Sequence, residues 1–143
     1  MDEVLVAPCG MNCGICMAYL REKNKCTGCL SEDTNKRPYL LKCTIRNCET
    51  IKSNVSGFCY ECSTFPCRRL KQLDKRYTTK YRMSMLENLV IIKNEGIKAL
   101  LAREEEKWKC PECGDVICCH NGICYSCGIE KLRNAKRPYR WED

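Results

Sequence analysis

Five Cys-x-x-Cys pairs punctuate a chain of 143 residues: Cys13/Cys16, Cys26/Cys29, Cys59/Cys62, Cys110/Cys113 and Cys124/Cys127. Two intervening residues let one tight turn aim both sulfurs at a single point. Two such turns make a tetrahedral site for an ion that binds thiolate at about 2.3 Å, as zinc does. Chance does not produce five of them in so short a chain, so the fold is expected to be built around sulfur.

Whether that sulfur forms disulfides or holds metal depends on the compartment. The opening segment, MDEVLVAPCG, has neither the basic region nor the apolar run of a secretory signal. No stretch approaches the roughly 20 apolar residues that span a bilayer. The chain is therefore expected to be cytoplasmic, with no membrane partner. Thiols stay reduced there, and 16 cysteines read as metal ligands. With only two Phe and two Trp, a conventional core would be thin, and metals would supply what it lacks. The formal charge of +7 counts cysteines as neutral. Three tetrathiolate sites, each holding a divalent ion, would lower it to about +1, so positive charge alone does not argue for a nucleic-acid partner.

The cysteines fall into two groups. Ten lie between Cys9 and Cys67, six between Cys110 and Cys127, and the 42 residues between the groups contain none. This divides the chain into a cysteine-rich metal-binding region (1–67), a helical segment (68–108), a zinc-ribbon-like knuckle (109–130) and a basic tail (131–143). The expected class is a small metal-stabilised α+β fold with N-terminal zinc knuckles, a short helical middle and a C-terminal zinc-ribbon-like knuckle. Residues 4–7 (VLVA) read as a short strand and residues 17–22 as one or two helical turns. Residues 31–37 read as a polar loop that Pro38 ends, and Leu70 and Leu73 suggest a helix over 67–74. Ser84 with Glu87 three residues later is a capping-box start, and Gly96 suits the end of that helix. A second helix is expected over 97–108, with Arg103 to Lys107 as its solvated face. These two helices are expected to supply the conventional hydrophobic core. The tail either remains a free basic arm or folds Tyr139 and Trp141 back on the body.

Cys110, Cys113, Cys124 and Cys127 form the clearest site, two knuckles separated by ten residues, each followed by a glycine able to take positive φ. Between them lie Cys118, Cys119 and His120. Cys118 and His120 alternate and could face one side of a strand, either as additional ligands or as buried packing groups. A second site pairs Cys26 and Cys29 with Cys43 and Cys48, thirteen residues on. A third pairs Cys13 and Cys16 with Cys59 and Cys62, leaving Cys9 and Cys67 over or substituting for one of the four. Zinc is the expected metal. The alternative is an iron–sulfur cluster such as [4Fe–4S] in the N-terminal half, since thiolates suit that too. Cys9, Cys13 and Cys16 even have the C-x₃-C-x₂-C spacing of radical-SAM enzymes. The chain lacks the repeated βα units and glycine-rich segment which that chemistry needs.

The segments PCGMNCGICMAYL, CTGC, FCYECSTFPCRRL and RYTTKYRMSMLENL, the pair Cys43 and Cys48, and the end WKCPECG…CYSCG together resemble domain-of-unknown-function family 3795 of archaea and bacteria. The likeness covers essentially the whole chain. Members are described as cysteine-rich, zinc-binding proteins. The resemblance implies metal binding, but the family has no established activity and hence no catalytic residue to carry over.

From Arg68 to Arg82 the chain reads RRLKQLDKRYTTKYR, with seven Lys or Arg alternating with Tyr77 and Tyr81. Cations beside stacking aromatics suit nucleic acid or another anion. The plainer reading is a solvated linker whose tyrosines pack inward. Three roles follow: a zinc-stabilised binding or adaptor module with an unidentified protein partner, an iron–sulfur redox or sulfur-handling protein using Cys9, Cys67, Cys118 and Cys119, or a metal store. No histidine–nucleophile pair or phosphate loop marks an enzyme. Thiolate chemistry needs neither, so enzyme status stays open.

Overall fold

The structure, a computed structural model, describes residues 1–30 and 42–141. The expected loop at 31–37 and its Pro38 stop lie outside these residues. The described helices are α1 (Met17–Leu20), α2 (Glu49–Ser53), α3 (Arg68–Lys80), α4 (Met85–Glu95), α5 (Ile97–Lys107) and α6 (Ile129–Arg133), with 3-10 turns at Glu3–Leu5 and Cys13–Ile15 before α1 and at Cys59–Glu61 before α3. Among the described residues, β-structure amounts to three isolated antiparallel bridges: Val6 with Asn12, Lys109 with Val116, and Ile117 with Cys124. The molecule is small, cysteine-rich and mostly helical, and the β half of the expected α+β class reduces to those bridges. The strand expected at residues 4–7 shows why. The Asp2 carboxylate accepts the Val4 N–H at 3.1 Å and winds residues 3–5 into a turn, leaving Val6 alone to pair.

The Ser84 cap forms as the spacing predicts, its hydroxyl accepting the Glu87 N–H at 3.1 Å. The same hydroxyl donates to Asp74 Oδ1 at 2.7 Å, and that oxygen also accepts the Leu86 N–H at 3.1 Å. Asp74 thereby pins α3 to the start of α4. Gly96 ends α4 at φ +94° and is also the first cap of α5, so the two helices join through one residue.

Helix α3 is longer than Leu70 and Leu73 alone suggest, and it absorbs much of the basic segment. Helical periodicity places Leu70, Leu73 and Tyr77 on its inner face. Arg68, Arg69, Lys71, Lys75, Arg76 and Lys80 are all exposed around the rest of the helix.

The core is not confined to the two helices expected to supply it. Met85 and Leu89 of α4 pack in one cluster with Ala7, Cys9, Met11, Cys13 and Ile15 of the N-terminal knuckle, with Leu70 of α3, and with Trp108 and Cys119 beyond α5. A smaller cluster joins Val6 to Ile92, Leu100 and Leu101. The larger cluster thus joins both cysteine-rich regions to the helices. No described helix is long and apolar enough to cross a membrane.

Candidate metal centre

The C-terminal centre starts where α5 ends at Lys107. The Ile117 N–H returns to Trp108 O at 2.8 Å, and the Cys118 N–H meets Ile123 O at 3.0 Å. These bonds fold residues 109–124 back on themselves and bring the two knuckles face to face. Gly114, at φ +79°, closes the first knuckle as expected. Gly128 does not take positive φ; it sits at φ −98°. Its reason is space, since a Cβ there would lie 2.6 Å from Cys124 O. Asp115 ties the knuckles together, accepting the Val116 N–H at 2.8 Å through Oδ1 and the Ser126 hydroxyl through Oδ2.

The result is a compact set of sulfurs. The ligand atoms of Cys110, Cys113, Cys124 and Cys127 all lie within 4.8 Å of one another. Cys110 Sγ is 3.6 Å from Cys127 Sγ, and Cys113 Sγ is 3.5 Å from Cys124 Sγ. Those separations exclude a covalent S–S bond of about 2.05 Å. They match the tetrahedron edge of about 3.8 Å that four thiolates make around an ion at about 2.3 Å. Cys110 and Cys124 are buried, while Cys113 and Cys127 face outward. The backbone N–H groups of Cys113 and Glu112 bond to the Cys110 sulfur and lower its thiol to about 7, supplying a thiolate near neutral pH. The four could hold a metal ion. Among the described residues, no other group of three or more potential ligands is this close.

The additional candidates within this segment behave otherwise. His120 uses both ring nitrogens: Nδ1 accepts the Met17 N–H at 3.2 Å, and Nε2 is 3.1 Å from the Tyr77 hydroxyl. With Nδ1 accepting, the neutral ring carries its proton on Nε2 and donates to Tyr77. The histidine is a strut between α1, α3 and the C-terminal segment. Cys118 and Cys119 are fully buried. Burial raises the Cys118 thiol to about 11 and pushes Cys119 far above the usual range, so both are weak nucleophiles. The Cys119 N–H donates to Ile15 O at 2.9 Å, and its carbonyl accepts Trp141 Nε1 at 2.6 Å. Trp141 therefore packs back on the body, over Gly122 (φ +74°) and under the Arg82 guanidinium at 4.2 Å.

In the N-terminal half, Asn12 is buried and its side chain accepts the Gly14 N–H at 3.0 Å, shaping the first knuckle. Cys13 Sγ lies 3.6 Å from Cys29 Sγ, across two groups that sequence spacing assigns to different sites. The Cys59 N–H donates to Pro8 O at 2.9 Å, so the third knuckle rests against the first. Cys9 is buried, and burial raises its thiol to about 12. Cys16, Cys48, Cys62 and Cys67 are partly buried, Cys26 and Cys59 are buried, and Cys43 is exposed. Tyr77 and Tyr81 turn inward onto His120, with ring centroids 5.6 and 4.6 Å away. Sequence reading placed both tyrosines in the basic segment but gave no sign of the partner, because His120 lies 43 residues further on.

Residues 5–72 match the family described as Protein of unknown function (DUF3795). That region belongs to the family. The match is narrower than the resemblance implied. The DUF3795 region takes in the N-terminal cysteines and the first residues of α3, and the C-terminal four-cysteine centre lies beyond it. No curated protein and no solved structure matches the chain.

Proposed function

We propose that this protein is a zinc-stabilised binding module whose working surface is the cationic face of α3. The carrying observation is the C-terminal sulfur set, whose edges of 3.5 and 3.6 Å suit a tetrahedral thiolate-preferring ion and suggest a ribbon-like knuckle. Zinc has no redox chemistry of its own, and a site of four protein ligands leaves no open position for substrate. Such a site stabilises a fold, and the activity then resides on the surface it supports. The buried, weakly nucleophilic Cys9, Cys118 and Cys119 also favour a structural role over thiol chemistry.

The cations of α3 support a reading of the partner. Arg68, Arg69, Lys71, Lys75, Arg76 and Lys80 are exposed along one helix and make no ion pair among the described residues. Asp74, the only acidic residue of α3, is occupied by Ser84 and Leu86. Because Tyr77 and Tyr81 are engaged with His120, base stacking on them is not part of the reading. The partner is a polyanion gripped through its phosphates, with nucleic acid as the leading case.

Two measurements test this. Protein purified without oxygen should contain zinc and no iron by elemental analysis; several irons per chain would replace the reading with an iron–sulfur one. Filter binding to mixed RNA and DNA should weaken about tenfold or more between 50 and 200 mM salt, and substituting Lys71, Lys75 and Arg76 by Glu should abolish it. Binding without salt dependence, or none, would remove the nucleic-acid partner while leaving the metal reading intact.

A further inference from the structure

The first two Cys-x-x-Cys pairs repeat the layout of the C-terminal centre. Nine residues separate Cys16 from Cys26, and ten separate Cys113 from Cys124. In the C-terminal centre the close sulfur contacts are first with fourth, Cys110 to Cys127 at 3.6 Å, and second with third, Cys113 to Cys124 at 3.5 Å. In the N-terminal set the first-with-fourth contact, Cys13 to Cys29, is also 3.6 Å. The backbone brings Cys26 to the helix that Cys16 caps. Cys16 is the N-cap of α1, and the Cys26 N–H donates at 2.7 Å to Ala18 O within that same helix.

We propose that Cys13, Cys16, Cys26 and Cys29 are the four ligands of a single tetrathiolate metal site with the knuckle spacing of the C-terminal centre, which metal would draw closer than the sulfurs now stand, since among the described residues only the C-terminal four lie within 4.8 Å of one another. This inference rests on the metal-binding reading above and changes its ligand grouping. It separates Cys13 and Cys16 from Cys59 and Cys62, and Cys26 and Cys29 from Cys43 and Cys48. The remaining sulfurs keep their own company. Those acting on Cys59 are Cys67, Cys48, Cys62 and Cys43, none of them from the first set. Cys9 lies between the two groups, with Cys29, Cys59 and Cys43 as its sulfur neighbours.

The test is metal-protected alkylation of the full, zinc-loaded chain with N-ethylmaleimide, read cysteine by cysteine by mass spectrometry. In Cys29→Ser, one zinc per chain is lost. Cys13, Cys16 and Cys26 become about tenfold or more reactive together, while Cys43, Cys48, Cys59 and Cys62 stay protected. Exposure of Cys43 and Cys48 instead, or continued protection of Cys13 and Cys16, overturns the grouping. If Cys29→Ser does not fold, stepwise chelation of the unsubstituted protein makes the same distinction. Cys13, Cys16, Cys26 and Cys29 should lose protection at one chelator concentration, and any other quartet overturns the proposal. Protection of the C-terminal four alone overturns this site and leaves the C-terminal metal in place, whereas a chain with no metal at all overturns both.

Discussion

Asn88 Nδ2 donates to Gly10 O at 2.9 Å, joining the middle of α4 to the turn that carries the first cysteines across 78 positions of sequence. Both partners are buried. Asn88→Ala leaves that carbonyl without a partner and should destabilise the protein by about 1–3 kcal/mol. Gly10 stands at φ +88°, and a Cβ there would meet Met85 O at 2.8 Å. Gly10→Ala therefore faces both backbone strain and a clash, and should cost about as much or more. Urea denaturation of the two variants checks both.

The C-terminal centre gives a sharper prediction. Cys110→Ser removes a buried candidate ligand whose thiol is lowered to about 7 by the backbone N–H groups of Cys113 and Glu112. It should lose one metal equivalent per chain and destabilise the metal-loaded protein by more than about 3 kcal/mol. Excess chelator should lower the melting midpoint of the unsubstituted protein and affect the variant less.

His120 predicts a pH effect. Burial shifts its imidazole from the ordinary 6.5 to about 4. Between those values the unfolded chain takes up a proton that the folded chain refuses, so stability falls as pH falls through that window. The loss amounts to at most about 3 kcal/mol. His120→Gln should be less stable than the parent at neutral pH, because the strut to Met17 and Tyr77 is weakened. It should also lose less on acidification, so the two stability curves converge toward about pH 4. Thiolate sites release metal in acid as well, which makes the difference between the two proteins the quantity to measure.

Glu104 carries the opposite sign. It is buried in α5, and desolvation raises its carboxyl above the ordinary value despite nearby Lys107. A raised carboxyl favours folding at low pH, an advantage that fades as the pH rises and the group must ionise inside the protein. Glu104→Gln should raise the melting midpoint at neutral pH by a few degrees, and the gain should vanish below the carboxylate range.

How much of this could be read in advance varied with range. Ser84 with Glu87, and Gly96 after Ile92, are local devices, and the structure carries them at the expected positions. The C-terminal quartet is also local, since its two knuckles are only ten residues apart. Gly128 does not use the positive φ that its place after Cys127 suggests: its role is close approach to Cys124 O, which no dihedral preference announces. The core was misjudged because residues such as Met85, Ile15 and Cys119 meet only through the fold. His120 alternating with Cys118 suggested a strand face, whereas its actual partners, Met17 and Tyr77, come from distant parts of the chain.

Trp108 and Trp141, the protein's only tryptophans, lie with ring centroids 6.2 Å apart. Trp108 is 3% exposed, and Trp141 is held by its bond to Cys119 O. All of the chain's indole emission therefore arises where the C-terminal segment packs on the N-terminal knuckle, since Trp108 shares one cluster with Cys9, Met11 and Cys13 and Trp141 bonds to Cys119. Parting these two regions would wet both rings and shift the emission to the red. Intrinsic fluorescence followed during chelation thus reports, without a label, when the two cysteine-rich regions come apart.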